Sequence, residues 1–520
     1  MPSSIFINYL MRAISSVCTS FTHSSHRRSL SPRRKGRRKM PIDFKTLTSP
    51  RFKTFLLLLS SLCIFYLLVD YRNRICMPPV LIRDTPQHPS SSQSPTSINH
   101  LVFGIASSSN SWQKRQEYVR LWWKPQSMRG FVFLDRIPQK ADNASSDLNS
   151  KLDSNSLPIL LVSGDTSRFP YTFKSGLRSA IRVARIVSEI VNQNLSDVRW
   201  FVFGDDDTVF FADNLGKTLS KYDHNRWFYV GSNSESFEQN SKNSFDMAFG
   251  GGGFAISYPL AKVLARVLDS CLVRYSHLYG SDARVFSCLV ELGVVLTHEP
   301  GFHQIDIRGD LFGFLSAHPL TPLLSLHHLD AVKSIFPNMN QMQALEHLFK
   351  AVKVDPTRIL QQTVCYDRSN SRTVSVSWGY AVQAFEGNHY LPDLISLQRT
   401  FMPWQRGRNS INSTHFMFNM RDFAKDPCKR PSIFFFESVL SGSHGIQSNY
   451  KRHIFGNCMD VSASKDLEQI RVQSQNLDLD IGELRAPRRH CCDILPSSFD
   501  KVMDIGIRQC MDGELISMNS

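Results

Sequence analysis

The sequence predicts an α/β protein built on a largely parallel sheet with helices packed against it. Short apolar runs alternate, along residues 101–204, with longer stretches in which apolar residues recur at helical spacing, and this alternation is typical of parallel sheets. In such sheets, ligands bind beyond the carboxyl ends of the strands. The predicted strands are 101–109, 130–135, 158–164 and 199–204, and the predicted helices between them are 111–123 and 174–194.

Each element is predicted from its own pattern. The run LVFGIASSS at 101–109 is apolar and ends in small turn residues, as a buried strand does. Helix 111–123 has aromatic residues at a spacing that fits one face, and helix 174–194 has an apolar stripe from Leu177 to Val191. The polar insert at 138–156 predicts a surface loop, and apolar periodicity after Leu260 and after Asp282 predicts two more helices.

The net charge of +15 belongs mainly to the first 54 residues, which contain twelve Lys or Arg and a single acid, Asp43. This tail alone would suit a nucleic-acid-binding protein. It is followed, however, by an uncharged fifteen-residue run, FLLLLSSLCIFYLLV at 55–69. A buried soluble helix and a cleaved signal peptide are the alternatives, but the run lies far from the start and lacks a small-residue cleavage site. We therefore predict a cytosolic tail at 1–54 and a transmembrane signal-anchor at 55–69, with the rest in the lumen.

The remaining chain divides by composition into three parts. Residues 70–99 are rich in Pro and Ser and predict a stem. Residues 100–335 contain the alternating pattern, and residues 336–520 predict a mixed, disulfide-containing accessory region. Nine of the eleven cysteines follow the apolar run, and a lumen would oxidise them. The three N-x-S/T triplets predict glycosylation at Asn143, Asn194 and Asn412.

Three aspartates follow the strand predicted at 199–204. In extended chain, Asp205 and Asp207 share a face, and Asp206 points away. The alternative is a charged surface turn, but the apolar residues on both sides argue against one. Carboxylates at a strand end are suited to a hard divalent cation that holds a phosphorylated ligand. The sequence therefore predicts a metal site here.

Further candidates follow along the chain. The run GGGG at 250–253 lies between Phe249 and Phe254, which favours close backbone approach to a ligand over a flexible linker. Ser281 and Asp282 precede an apolar-periodic helix and could serve as its N-cap or present a carboxylate to a cleft. The histidines at 327, 328 and 303 could each be a metal ligand or structural.

These motifs, in this order, resemble glycosyltransferase family 31, the fringe and β-1,3-galactosyltransferase group, and most closely its plant fringe-like branch. The resemblance extends over about 100–335 and continues through 361–383. It is carried by GDDDTVFF at 204–211, GGGGFAIS at 250–257, the pair Ser281-Asp282 and a late histidine. It also includes an early arginine–tryptophan helix, with Arg115, Arg120 and Trp123.

The resemblance implies a GT-A-like (Rossmann-like) fold and an inverting, Mn²⁺-dependent hexosyl- or N-acetylhexosaminyltransferase of the Golgi membrane, with a UDP-sugar donor and a glycan or glycoprotein acceptor. A catalytically silent protein of the same fold that binds nucleotide sugars or glycans is the alternative, and no nucleic acid is expected as a partner. Close plant relatives tend to carry a second acid where this chain has Ala283. The implied roles are Asp282 as general base, Asp207, Asp205 and His327 or His328 as metal ligands, and Asp205, Asp206, Gly251, Gly252 and Gly253 on the donor.

Overall fold

The computed structural model describes residues 94–138, 156–404, 415–443, 445–454, 467–497 and 499–518, with a few single positions between 54 and 66. Two compact units are separated, Met1–Gln93 and Ser94–Ser520, and the following concerns the second. Among the described residues, no helix is both long and apolar enough to cross a membrane. The predicted tail lies almost wholly outside the described residues, and so do most of the predicted span and stem.

A seven-stranded mixed sheet forms the first part of Ser94–Ser520. Its strand order is β3-β2-β1-β4-β7-β6-β8. The first four strands are mutually parallel, whereas β7 runs antiparallel to both β4 and β6. The strands are β1 (Leu101–Ala106), β2 (Arg129–Leu134), β3 (Ile159–Val162), β4 (Trp200–Asp205), β6 (Tyr229–Gly231), β7 (Phe254–Ser257) and β8 (Leu296–His298).

Both faces of this sheet are covered, so strand β1 is buried along its whole length. Alternate side chains of a strand point to opposite faces. Leu101 and Phe103 accordingly lie in one hydrophobic cluster, with helix α1, while Val102 lies in a second cluster, with α2, α5 and α6. The helices of this part are α1 (Trp112–Trp122), α2 (Ser179–Val191), α3 (Ala212–Leu219), α4 (Phe237–Lys242), α5 (Tyr258–Arg274), α6 (Asp282–Glu291) and α7 (Phe312–Leu315).

The second sheet has eight strands in the order β11-β12-β13-β17-β18-β19-β21-β20, antiparallel except for β19 and β21. Two disulfides, Cys365–Cys492 and Cys491–Cys510, connect its strands and the segment after them, and a third, Cys271–Cys288, joins α5 to α6. Its strands are β11 (Gln362–Asp367), β12 (Arg372–Ser377), β13 (Ala381–Glu386), β17 (Ser432–Gly442), β18 (Gly445–His453), β19 (Gln469–Ser474), β20 (Cys491–Leu495) and β21 (Val502–Arg508).

One pair of short strands joins the chain before residue 335 to the chain after it, because β9 pairs with β15. A second pair, β5 with β10, lies within the first region. One hydrophobic cluster includes both Phe103 of the first sheet and Trp378 beside the second, so the boundary predicted near residue 335 lies inside a common core. The remaining elements are β5 (Val209–Phe210), β9 (Ile307–Gly309), β10 (Ser325–Leu326), β14 (Leu397–Gln398), β15 (Phe401–Pro403), β16 (Met420–Arg421), α8 (Gln341–Val352), α9 (Leu391–Ile395) and α10 (Ile481–Arg485).

The strands and helices predicted between 101 and 204 are confirmed within a few residues, and the mixed α/β class with a parallel-rich sheet is confirmed as well. The largest difference in length concerns the helix predicted at 174–194, which begins only at Ser179. The preceding residues form turns, and the Tyr171 hydroxyl lies where a Cβ at Gly176 would be.

Candidate active site at the carboxyl end of the first sheet

The aspartate run begins at the last residue of β4. The chain turns at once, because the Thr208 amide donates to the carbonyl oxygen of Asp205 at 3.1 Å. The Thr208 hydroxyl accepts from the Asp205 amide at 2.8 Å and donates to the carbonyl oxygen of Gly251 at 2.7 Å. Thr208, which the sequence analysis did not single out, therefore fastens the aspartate turn to the glycine run.

Asp206 points away from its two neighbours. Its buried carboxylate accepts from the hydroxyls of Ser107 (2.7 Å) and Ser111 (2.6 Å), at the end of β1 and the start of α1. Arg115 Nη1 also lies 3.1 Å from its Oδ1. These contacts use both carboxylate oxygens within the protein. The structure therefore places Asp206 as a tie between the end of β4 and α1.

Asp205, Asp207 and His327 converge on one point. His327 Nε2 lies 3.1 Å from Asp207 Oδ1 and 3.8 Å from Asp205 Oδ2. Ligand atoms of all three lie within 4.8 Å of one another. Asp207 Oδ1 is buried and faces His327 Nε2. Two carboxylates and an imidazole whose ligand atoms converge in this way fit a divalent cation such as Mn²⁺.

The charges within this cluster are strongly coupled. Burial raises the pKa of Asp205 to about 7, and the negative charges of Asp207 and Asp282 contribute to the rise. Burial also disfavours ionisation of Asp207, but the hydrogen bond and charge of His327, together with Arg115, outweigh it and hold the pKa of Asp207 at about 2. For His327, burial is likewise outweighed by Asp207, so its pKa is raised. The ionisation of each of these three groups thus depends on the charges of the other two.

The other two histidines have different partners. His328 Nδ1 lies 3.1 Å from Asp306 Oδ1. His303 lies in a buried chain, with Nδ1 3.1 Å from Glu235 and Nε2 2.9 Å from His318. Burial lowers the pKa of His303 to about 3. Of the three candidates, the structure therefore brings His327 to the carboxylates.

The glycine run lies directly against the predicted site residues. A Cβ at Gly250 would lie 2.5 Å from Asp282 Oδ1, and one at Gly251 would lie 2.1 Å from a His327 ring carbon. The amide of Gly252 donates to Gln304 Oε1 at 2.6 Å, and Gly253 has a φ of +87°. Close approach, rather than flexibility, is what requires glycine at 250 and 251.

Asp282 is the first residue of α6 and faces the same end of the sheet. Burial raises the pKa of its carboxyl group, although the Gly250 amide and the Ser281 hydroxyl both donate hydrogen bonds to it. Asp282 and Asp205 both line a small cavity of about 30 Å³, whose remaining walls are mostly apolar residues of β1, α2 and β7. A carboxylate with a raised pKa in such a position is suited to accepting a proton.

The early helix contributes one residue to the site. Arg115 Nη2 lies 3.1 Å from Asp207 Oδ2, which adds to its contact with Asp206. Arg120 instead pairs with Glu117 and donates to the Ser156 hydroxyl, and Trp123 packs edge-on against Phe103. Arg120 and Trp123 therefore contact residues outside the site, and of these three residues only Arg115 reaches the aspartates.

The glycosylation triplets are only partly described. Asn194 is exposed just after α2, with a φ of 52°. Asn143 and Asn412 lie outside the described residues. Sequence reasoning also missed Asp306 and Trp404, which surround His328; no local pattern signals them, because their partners are distant in sequence.

Comparisons with known proteins agree with part of this interpretation. Residues 239–492 match the family described as "Protein of unknown function, DUF604". The chain is 29% identical over 153 residues to a β-1,3-glucosyltransferase of Mus musculus, covering 28% of this chain and 29% of the relative. It is also 29% identical over 120 residues to a β-1,3-glucosyltransferase of Homo sapiens, covering 23% of each chain.

Among solved structures, a mannosyltransferase from Pyrobaculum calidifontis in complex with GDP-Man and Mn²⁺ matches 40% of this chain and 58% of its own. Its sequence identity is 11% and its TM-score is 0.25, a value too low to relate the folds. The chain spans less than a third of the length of the curated relatives it matches. Over 120–153 residues the chain is thus similar to β-1,3-glucosyltransferases, and this similarity does not select the fringe-like plant branch.

Proposed function

We propose that this protein is a metal-dependent, inverting glycosyltransferase with a GT-A-like catalytic region. It would transfer a hexosyl or N-acetylhexosaminyl group, in β-1,3 linkage, from a UDP-sugar to a glycan or glycoprotein. The observation that carries the proposal is the convergence of Asp205, Asp207 and His327 beside Asp282, at the sheet end where α/β proteins bind ligands. The similarity to two β-1,3-glucosyltransferases supports the same reaction class.

The residues of the site would have different roles in the reaction. Asp205, Asp207 and His327 would hold Mn²⁺, which when bound would offset the charge on the leaving nucleotide diphosphate. Arg115 would keep Asp207 ionised and oriented. Asp282 would remove the proton from the attacking acceptor hydroxyl, because its carboxylate lies in the same small cavity as Asp205. A single displacement of this kind inverts the anomeric carbon.

The proposed location is the Golgi membrane, in single-pass type II orientation with the catalytic region in the lumen. The basic tail followed by an apolar run supports it. The disulfides among the described residues are also compatible with an oxidising compartment.

The test is release of UDP by the full-length protein, purified from a eukaryotic secretory host. A panel of UDP-sugars is offered with a plant glycan extract, with and without Mn²⁺. We expect Mn²⁺- and acceptor-dependent release from one sugar, lost in Asp207→Ala and Asp282→Asn. The matched control is Asp246→Ala, because Asp246 is exposed and far along the chain from both.

Two outcomes would contradict the proposal. Wild-type activity in Asp207→Ala, with an unchanged melting curve, would overturn the metal assignment. Binding of UDP in Mn²⁺ without turnover on any acceptor would instead favour the catalytically silent alternative.

A further inference from the structure

One aromatic residue from beyond residue 336 reaches the candidate active site. Strand β15 pairs antiparallel with β9, with Phe401 opposite Gly309, Met402 opposite Arg308 and Pro403 opposite Ile307. The chain is therefore held in register up to Trp404, the next residue. Trp404 lies only partly buried, unlike Phe401, which belongs to the core.

Trp404 contacts a cation and an imidazole. The Arg308 guanidinium carbon lies 4.3 Å from the ring centroid, and Arg308 Nε donates to the Trp404 carbonyl oxygen at 2.7 Å. The His328 ring stacks on Trp404 with centroids 4.5 Å apart and an interplanar angle of 13°. Flat stacking of this kind fixes a ring's orientation as well as its position.

The stacked rings extend to the cluster of Asp205, Asp207 and His327. The rings of His328 and His327 have centroids 3.9 Å apart, and His327 Nε2 is the atom that faces Asp207. His328 itself has a left-handed backbone, with φ 52°, which is unfavourable for a residue with a Cβ. It therefore needs partners, and it has two: the Asp306 carboxylate at Nδ1 and the Trp404 ring.

We propose that Trp404 is a positioning residue that acts through His328 on His327, and so sets the affinity of the Asp205–Asp207–His327 cluster for a divalent cation. The proposal rests on the proposed function, because it needs that cluster to bind metal. It gives the segment around β15 a role in completing the active site. Groups that hydrogen-bond to a metal ligand and orient it commonly contribute a factor of about 10–100 to metal affinity, and Trp404, which acts through one further residue, is expected at the lower end of that range.

The test measures Mn²⁺ binding by calorimetry on the full-length protein, independently of turnover. We expect Trp404→Leu, which keeps an apolar side chain but lacks a flat ring, to weaken Mn²⁺ binding about tenfold. Trp404→Phe should keep most of the affinity, because it retains a ring face for His328. Met402→Ala is the matched control, since Met402 is exposed on the same short strand.

The outcomes separate this inference from the function on which it rests. Wild-type affinity in Trp404→Leu, with binding lost in Asp207→Ala, would overturn the role of Trp404 and leave the metal cluster standing. Absence of Mn²⁺ binding in the wild type would overturn both. Equal weakening in Trp404→Phe and Trp404→Leu would also contradict the stacking argument. The melting curve of Trp404→Leu in EDTA shows whether this variant folds. If it does not, Mn²⁺ binding is compared between Trp404→Phe and His328→Ala. We then expect near-wild-type affinity in Trp404→Phe and a tenfold loss in His328→Ala, and equal affinities would overturn the proposal.

Discussion

Substituting Gly251 by Ala should test the candidate site most directly, because one methyl group would enter the space of the His327 ring. The new Cβ would lie 2.1, 2.4 and 2.5 Å from three ring atoms. Ordinary van der Waals contact begins near 3.4 Å, so the ring or the backbone must move by more than about 1 Å. Neither has room: His327 is almost fully buried, and the Gly251 carbonyl is held by Thr208.

The size of the effect follows from this displacement. Overpacking a tight site costs about 1–3 kcal/mol of folding free energy. Metal–ligand distances tolerate only about 0.2 Å, so moving His327 should reduce Mn²⁺ affinity at least about tenfold. The stability cost should nearly vanish in a His327→Ala background, because the atoms that the methyl group meets are then absent.

The assay combines urea denaturation with Mn²⁺ calorimetry on the Gly251→Ala and His327→Ala variants and their combination. Gly442→Ala is the control, because no atom lies within 4 Å of the position of its Cβ. The reasoning is refuted if Gly251→Ala binds Mn²⁺ like the wild type. It is equally refuted if the methyl group costs the same stability with and without the His327 ring.

Three further predictions concern stability. Asp206→Ala should cost about 3 kcal/mol, because it leaves Arg115 and two serine hydroxyls without their shared carboxylate; a cost near that of exposed Asp246→Ala, measured in urea, would contradict the role of Asp206. Burial raises the pKa of Glu235 from 4.5 to about 7, so the folded state holds this proton more tightly than the unfolded state does. The free energy of unfolding therefore contains the full contribution of Glu235 below pH 4.5 and falls by up to about 3 kcal/mol as the pH rises to 7. Glu235→Gln should remove that part of the slope, and parallel stability–pH curves for the two proteins would count against it. Removing the Cys271–Cys288 disulfide, which joins residues 17 apart, by double substitution to Ala should cost about 3 kcal/mol, and an unchanged urea midpoint would show that the disulfide does not constrain the unfolded chain.

Much of the first sheet could be predicted from local pattern. Strand β1, and β4 as far as Gly204, lack charged and polar side chains because helices cover both sheet faces, and that burial is visible in the sequence as hydrophobic runs. The alternation of side chains also predicted that Asp205 and Asp207 would point together and Asp206 away. The antiparallel β7 within the sheet was not predictable, because its apolar run FAIS resembles a parallel strand equally well.

The choice among the histidines shows where local reasoning ends. His327 and His328 are adjacent and chemically identical, so the sequence could not distinguish them. The left-handed turn at His328 directs one ring to the carboxylates and the other to Asp306 and Trp404. That outcome depends on contacts between residues 22 positions apart (His328 and Asp306), 76 apart (His328 and Trp404) and 120 apart (His327 and Asp207).

Local patterns were enough to predict the elements of the first sheet, the pairing of two carboxylates at a strand end and the need for glycine beside them, because these follow from periodicity and steric size within a few residues. The contacts of Asp206 with Ser107 and Ser111, the approach of His327 to the carboxylates and the stacking of Trp404 on His328 became visible only in the folded chain. The physical reason is that a side chain's role depends on which distant groups the packed core brings within hydrogen-bonding or stacking distance, and a linear pattern does not encode those distances.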